Sequence, residues 1–96
     1  GEAAVLVSLN FGAADYAESR DELKLLASSA GLDVRAMVEG RRDRPDARLF
    51  AGTGKVEEIG RTLADSHADI AVFNHELSPA QQRNLERELK CRVVDR

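Results

Sequence analysis

The sequence predicts an α/β fold: a four-stranded parallel sheet with strand order 2-1-3-4 and three helices on its two faces. Three observations support this prediction. Apolar runs alternate with segments of helical periodicity, the pattern of parallel strands joined by right-handed helical crossovers. The first apolar run is continuous, as in a strand buried on both faces. The length of 96 residues favours one hydrophobic core, so residues 1–96 are expected to form a single domain.

The first strand is predicted at Ala3 to Leu9, and Asn10-Phe11-Gly12 ends it. Ser19 and Glu22 form a capping-box pattern, which predicts that the first helix begins at Ser19. Gly31 supplies the C-terminal stop of that helix. The predicted inward face of the helix consists of Leu23, Leu26, Ala27 and Ala30.

The second strand is predicted from alternation between apolar and polar positions, and it ends at Gly40. One set of alternating side chains is Val34, Ala36 and Val38, and the other is Arg35, Met37 and Glu39. Alternation indicates a strand that is less buried than the first, so we expect this strand at an edge of the sheet.

The second half of the chain predicts two helices and two strands. A helix with the inward residues Val56, Ile59, Leu63 and Ala64 ends near His67, and the third strand is Ile70 to Phe73. Ser78-Pro79-Ala80-Gln81 combines an N-cap serine, a first-turn proline and a capping-box glutamine, so it begins the third helix. Leu85 and Leu89 form the inward stripe of this helix, and Val93 and Val94 form a short fourth strand.

Strand order 2-1-3-4 makes the connection from strand one to strand two run opposite to the later connections. The first helix is therefore expected on one face of the sheet and the other two helices on the opposite face. Because one helix covers a four-stranded face incompletely, we expect an exposed apolar patch that packs against another part of the protein.

Composition excludes several classes of protein. Hydrophobic residues make up 43% and charged residues 32%, as in soluble globular domains. The longest apolar runs fall far short of the roughly 20 residues of a membrane helix, and no secretory signal is present. Cys91 is the single cysteine, so no intramolecular disulfide can form and a cytoplasmic location is expected. Its apolar neighbours predict a buried, inert thiol with no catalytic role.

Positive charge is concentrated in one segment, although the formal net charge is -3. Residues 1–40 contain seven acidic and three basic side chains, whereas residues 41–55 contain five basic and two acidic ones. We call Arg41 to Arg48 the arginine loop. The long connection and its basic residues predict contact with RNA phosphates through Arg41, Arg42, Arg44, Arg48 and Lys55. The alternative is a solvated loop that Asp43 and Asp46 neutralise.

Gly52-Thr53-Gly54-Lys55 resembles a phosphate-binding loop, because its glycines leave N–H groups accessible at a helix N-terminus and Lys55 adds positive charge. A Walker A loop is excluded, since Leu49 and Val56 occupy the positions of its first glycine and its Ser or Thr. Two interpretations stay open: glycines that only turn the chain into a helix, and an anion-binding or RNA-phosphate-binding segment.

The histidines, Phe50 and the polar face of the third helix give weaker indications of function. His67 and His75 lack the spacing of a metal site or a catalytic triad, so neither a metal nor a catalytic residue is predicted. Phe50 could stack on a base or belong to the core. On the third helix, Arg83 and Asn84 are assigned to RNA contact, against the alternative that the face formed by Gln81, Gln82, Arg83 and Asn84 is simply hydrated.

Four stretches carry a resemblance to a known family: Phe73 to Glu86, Arg92 to Arg96, Arg42 to Pro45, and the Gly-x-Gly-Lys-x-x-Glu-Ile pattern at Gly52 to Ile59. Together they resemble the N-terminal domain of HflX-type ribosome-binding GTPases, and the resemblance covers essentially the whole chain. Asn74 departs from it, since aspartate is expected at that position.

The resemblance implies a cytoplasmic protein that docks on the large ribosomal subunit, contacts its RNA through this domain, and splits or rescues ribosomes under stress. It also implies that a helical linker and a GTPase domain follow, where GTP and magnesium would bind, so this segment alone is expected not to be an enzyme and to need no cofactor. Two alternatives remain: an ATP-binding domain with weak ATPase activity, for which Gly52 to Lys55 is the candidate site, and a regulatory domain that covers the GTPase module.

Overall fold

A computed structural model describes all residues from Gly1 to Arg96. Its elements are β1 (Ala3–Asn10), α1 (Tyr16–Ser29), β2 (Asp33–Arg41), α2 (Thr53–Asp65), β3 (Ile70–Phe73), α3 (Pro79–Leu89) and β4 (Arg92–Val94). The four strands are parallel and lie in the order β2-β1-β3-β4. The predicted fold class and strand order are therefore confirmed.

Strand β1 lies at the centre of the domain because its side chains are apolar on both faces. Val5, Val7 and Leu9 belong to the larger core, which contains residues of α2 and α3. Ala4 and Leu6 belong to the smaller core, to which α1 contributes. The first helix thus covers one face of the sheet and the other two helices cover the opposite face, as predicted. Strand β2 lies at an edge, in agreement with its alternating sequence.

The start predicted for α1 is wrong. The helix begins at Tyr16, and its N-cap residue Asp15 makes no side-chain capping hydrogen bond. Ser19 lies inside the helix, where its Oγ accepts hydrogen bonds from Asn74 Nδ2 at 3.1 Å and from Arg96 Nη1 at 3.0 Å. The capping-box pattern fails because the Ser19 hydroxyl has partners in distant parts of the chain.

The inward faces predicted for α1 and α2 are partly wrong. Leu23 and Ala27 are buried, but Leu26 is 50% exposed and Ala30 is also exposed. In α2, Val56, Ile59 and Leu63 are buried, whereas Ala64 is exposed. Helical periodicity gives the direction of the apolar stripe, but the width that becomes buried depends on the surface against which the helix packs.

The end of β2 differs from the prediction by one residue, and the start of α3 agrees with it. Strand β2 extends to Arg41, which pairs with Asn10, so the long connection runs over residues 42–52. Helix α3 has the predicted capping box: Gln81 N–H donates to Ser78 Oγ at 3.1 Å, and Ser78 N–H donates to Gln81 Oε1 at 2.9 Å. Lys90 ends α3 in the left-handed conformation, with φ of 54°.

The face that α1 covers has an open apolar groove, as the strand order predicted. Leu23, Leu26, Ala27, Leu32, Val72 and Val94 line the groove, and its volume is about 290 Å³. Leu25, on the same helix, is 70% exposed. No helix in the structure has the length and apolar character needed to cross a membrane.

Candidate functional site

The loops that follow β1, β2 and β3 meet along one edge of the sheet, because parallel strands place their carboxyl ends on the same side. This edge carries Asn10 to Gly12 after β1, the connection of residues 42–52 after β2, and Asn74 to Leu77 after β3. The N-terminus of α2 opens onto the same edge. The sequence-predicted basic residues therefore lie where ligands commonly bind in α/β sheets.

Three arginines of the arginine loop surround a polar recess. Arg41, Arg42, Asp43 and Arg44 line this recess, which has a volume of about 330 Å³ and no hydrophobic lining residue. Arg41 and Arg44 are exposed, and Arg42 is half-buried. Arg42 Nε donates to the carbonyl oxygen of Arg44 at 3.1 Å, which fixes the direction of its guanidinium group.

The guanidinium of Arg42 lies against the N-terminus of α2. A Cβ atom at position 52 would lie 2.5 Å from Arg42 Nη1, so Gly52 leaves room for this contact. Helix α2 has no side-chain N-cap hydrogen bond and no acidic residue in its first turn. Because the N-terminus of a helix is its positive pole, two positive groups meet here, and the first turn of α2 has no acidic side chain to compensate them. The arrangement favours the binding of a phosphate or carboxylate group.

Lys55 lies away from the recess, although the sequence grouped it with the phosphate-binding residues. Its Nζ donates to the carbonyl oxygen of Glu39 at 2.8 Å and forms an ion pair with Glu58 at 2.7 Å. A Cβ atom at position 40 would lie 2.6 Å from Lys55 Cε, so Gly40 is needed for this placement. The Lys55 ammonium therefore ties α2 to the end of β2.

The connection of residues 42–52 closes on itself between Asp46 and Phe50. The backbone N–H of Asp46 donates to Phe50 O at 2.8 Å, and that of Phe50 donates to Asp46 O at 2.9 Å. Asp46 Oδ2 accepts the backbone N–H groups of Leu49 at 2.7 Å and Arg48 at 3.0 Å. These N–H groups, that of Leu49 most strongly, hold the pKa of Asp46 below its ordinary value. These hydrogen bonds hold residues 46–50 in one backbone conformation.

Phe50 belongs to the core, which was one of the two interpretations of this residue; the other was stacking on a base. Its side chain is 5% exposed and its φ is 66°, an unusual value for a bulky residue. Its ring contacts those of Phe11, Phe73 and His75, with centroid distances of 5.6, 6.4 and 5.1 Å respectively. The aromatic cluster anchors the connection of residues 42–52 to the carboxyl ends of β1 and β3.

His75 joins the same cluster through its imidazole. The backbone N–H of Leu9 donates to His75 Nε2 at 2.9 Å, so this nitrogen carries a lone pair and the ring is neutral. Burial lowers the pKa of His75 from its ordinary value. Its neighbour Asn74 is 6% exposed and donates through Nδ2 to Ser8 Oγ at 3.1 Å, while its Oδ1 accepts from Arg96.

The polar face of α3 divides into contacting and exposed residues. Gln81 Nε2 donates to Asp46 O at 2.9 Å, and Asn84 Nδ2 donates to Arg48 O at 3.0 Å. Gln82 Nε2 donates to Val93 O at 2.8 Å. Arg83 is exposed. Sequence reasoning missed the contacts of Gln81 and Asn84 with the arginine loop, although two carboxamides three residues apart on one helix face were a visible signal.

The structure thus brings Arg41, Arg42 and Arg44 together at the recess. The other four residues assigned to RNA contact do not line it: Arg48, Lys55, Arg83 and Asn84. Arg48 forms an exposed ion pair with Glu88 at 3.4 Å. Gly52, Thr53 and Gly54 form the uncapped N-terminus of α2. The structure contains no group of three or more His, Cys, Asp or Glu side chains arranged to hold a metal ion.

Comparison with known proteins gives a consistent result. Residues 17–96 match a family model described as the N-terminal region of GTP-binding GTPases. The chain is 43% identical over 96 residues to the GTPase HflX of Escherichia coli K12, covering 100% of this chain and 22% of that relative. It is 37% identical over 78 residues to the GTPase HflX of Thermococcus kodakarensis, covering 81% of this chain and 17% of the relative. The chain therefore spans about a fifth of the length of these relatives.

A solved structure shares the fold. It is a GTP-binding protein from the hyperthermophilic archaeon Sulfolobus solfataricus in complex with GDP. It matches with a TM-score of 0.70 and 21% identity, over 99% of this chain and 27% of that one. At this identity the likeness supports the α/β architecture alone.

The burial of neutral His75 predicts a pH-dependent stability. Its folded pKa lies below the ordinary value of 6.5, so the unfolded chain binds more protons between these two values. The contribution of buried, neutral His75 to the free energy of unfolding is fully present above about pH 6.5. It falls as the pH decreases towards the pKa of His75 in the folded chain. Urea denaturation between about pH 5 and 8 measures this decrease.

Two variants serve as comparisons in that experiment. His75→Gln keeps a side chain that can accept the Leu9 N–H and does not titrate, so its stability is expected to change less over the same pH range. His67→Gln removes an exposed histidine and should behave like the wild-type chain. An equal pH dependence for His75→Gln and wild type would contradict the role assigned to His75.

Proposed function

Because this chain belongs to the HflX family of GTPases and matches its N-terminal region, we propose that it is a ribosome-binding domain that contacts the RNA of the large subunit. The observation that carries this proposal is the cluster of Arg41, Arg42 and Arg44 around one recess beside the uncapped N-terminus of α2. The ribosome as target follows from the family resemblance, and the arginines supply a surface suited to it.

The distribution of charge supports RNA contact at this edge. The first 40 residues carry seven acidic and three basic side chains, and the α1 face presents Glu18, Asp21 and Glu22. Such a surface is repelled by a phosphate backbone. The edge that carries the arginine loop is therefore the more favourable side for RNA to approach, which would set the orientation of the domain on its target.

The full-length protein is proposed to be a cytoplasmic GTPase that splits or rescues ribosomes under stress, with GTP and magnesium bound in the part that follows this domain. The chain itself is proposed to bind without catalysing hydrolysis. Relatives named GTPase HflX support the activity of the whole protein.

Nucleotide binding at Gly52 to Lys55 is the second candidate function, and the residues present do not fit a standard phosphate-binding loop. Lys55 is held by Glu39 O and Glu58 instead of turning towards the N-terminus of α2. Val56 stands where a magnesium-positioning Ser or Thr is needed. What favours this function is only the uncapped, glycine-rich start of α2.

The apolar groove supports a further partner within the same protein. We propose that the GTPase part of the full-length protein packs on this groove, because its family relatives are more than four times longer than this chain and an exposed apolar patch of this kind marks an interaction surface. In this arrangement the domain also regulates or positions the GTPase module, as the third interpretation of the sequence requires.

The first test reverses the charge of the arginine loop. The variant Arg41→Glu/Arg42→Glu/Arg44→Glu is expected to lose association with purified large ribosomal subunits in co-sedimentation. Affinity for RNA falls as salt concentration rises. Each lost phosphate contact should make this fall less steep, by roughly 0.9 units of the slope of log affinity against log salt, because fewer counterions are released. Circular dichroism checks that the variant remains folded.

The control variant Lys24→Glu/Arg61→Glu/Lys90→Glu changes the net charge equally at exposed positions on α1, on α2 and directly after α3. It is expected to retain most of the binding. If the folded loop variant sediments like the wild-type chain, RNA contact by these arginines is excluded and Arg83 becomes the next basic residue to test.

Calorimetric titration tests the nucleotide alternative. The isolated chain is expected not to bind GTP in magnesium-containing buffer, and any ATP binding at α2 should weaken in Lys55→Ala. Micromolar GTP affinity would show that the glycine-rich segment functions as a nucleotide site. Unchanged ATP affinity in Lys55→Ala would place ATP binding elsewhere on the domain.

The groove is tested in the full-length protein with two leucine variants. Leu26 lines the groove, whereas Leu25 is exposed outside it. Leu26→Glu should therefore prevent the GTPase part from packing on the groove, and Leu25→Glu should not. Hydrogen exchange of α1 and β4 is expected to accelerate only in Leu26→Glu. Equal exchange in both variants would indicate that nothing in the protein packs on the groove.

A further inference from the structure

We propose that Gln81 and Asn84 are positioning residues for RNA binding, which hold the arginine loop in its binding conformation through their side-chain amides. This proposal rests on the proposed function and adds a role that the sequence did not assign. Both residues lie in the stretch by which the chain resembles its family, and their carboxamides point to the loop rather than to solvent.

Two amide donors on α3 hold two carbonyl groups of the loop. Gln81 Nε2 donates to Asp46 O at 2.9 Å, and Asn84 Nδ2 donates to Arg48 O at 3.0 Å. The same Gln81 side chain accepts the Ser78 N–H through Oε1, so the capping box fixes its orientation. Because one end of the carboxamide is used in the cap, the other end is aimed at the loop.

The loop needs external contacts because its closed form is unfavourable in isolation. Phe50 adopts a φ of 66°, which a bulky side chain adopts only when its surroundings impose it. The aromatic cluster holds Phe50 at one end of the segment, and the two amides hold Asp46 and Arg48. Together these contacts fix the backbone that continues into Arg44 and the recess.

The neighbouring residues on α3 have different tasks. Gln82 donates to Val93 O in β4, so the same type of hydrogen bond stabilises the sheet without touching the arginine loop. Arg83 is exposed. Gln82 therefore provides a matched control for Gln81 and Asn84. Its carboxamide also donates to a backbone carbonyl group, but that group lies in β4 and not in the arginine loop.

Preorganisation predicts a specific effect on RNA binding. A loosened loop must be ordered when it binds, which lowers affinity, but the same arginines still reach the same phosphates. Affinity therefore falls while the slope of log affinity against log salt stays constant. Removal of a residue that itself contacts a phosphate lowers that slope.

The experiment measures binding of this chain to purified large ribosomal subunits over a range of salt concentrations. We expect Gln81→Ala/Asn84→Ala to bind about tenfold more weakly with an unchanged salt slope, and Gln82→Ala to bind within about twofold of wild type. Asn84→Ala alone leaves the capping box intact and should shift affinity in the same direction. Hydrogen exchange should accelerate at the Arg48 and Leu49 amides in the double variant and remain unchanged there in Gln82→Ala.

Four outcomes would overturn the proposal. Unchanged affinity despite accelerated exchange would show that loop conformation does not control binding, and unchanged exchange would show that the amides do not hold the loop. A less steep dependence of affinity on salt would identify Gln81 or Asn84 as a direct phosphate contact. An equal loss of affinity in Gln82→Ala would indicate general destabilisation.

Failure of the proposed function gives a different result. In that case the wild-type chain does not bind large subunits at any salt concentration. Accelerated exchange in the double variant would then leave the two carboxamides a structural role only.

Discussion

The burial of β1 between two parallel neighbours is the constraint on which the rest of the domain depends. Its side chains reach both cores, and residues from Ala4 to Ser8 have no exposed surface. Parallel pairing on both sides aligns the ends of β1, β2 and β3, which brings three loops to one edge. The buried Ser8 hydroxyl requires a polar partner, and Asn74 supplies it from the end of β3.

The sequence predicts the architecture well because the architecture depends on local pattern. An apolar run interrupted only by Ser8 marks β1, alternation marks the edge strand β2, and the Ser78 capping box marks the start of α3. The start of α1 is a different case. The pattern at Ser19 is local, but its hydroxyl bonds to Asn74 and Arg96, which are 55 and 77 residues away. Distant partners of this kind leave no local signal.

The candidate site is predictable in its charges and less so in its geometry. The concentration of arginines between Arg41 and Arg48 is visible in the sequence, and the order of the strands locates it at the carboxyl edge. The orientation of Lys55 is not visible, because its partners Glu39 and Glu58 become neighbours only when α2 packs beside β2. Likewise, the capping role of Gln81 is readable, whereas the second bond of its amide depends on the folded loop.

The position of β1 in both the sheet and the chain has a consequence for folding during synthesis. Within this domain β1 is synthesised before the other strands, yet its pairing with β3 joins Ala4 to Ile70, 66 residues later. At typical rates of translation, this separation corresponds to a delay of about 3 to 13 seconds. During this time an apolar strand has one edge without a partner, so the nascent chain depends on its surroundings to avoid pairing with other strands. Native contacts so distant in sequence also slow the folding of the released chain.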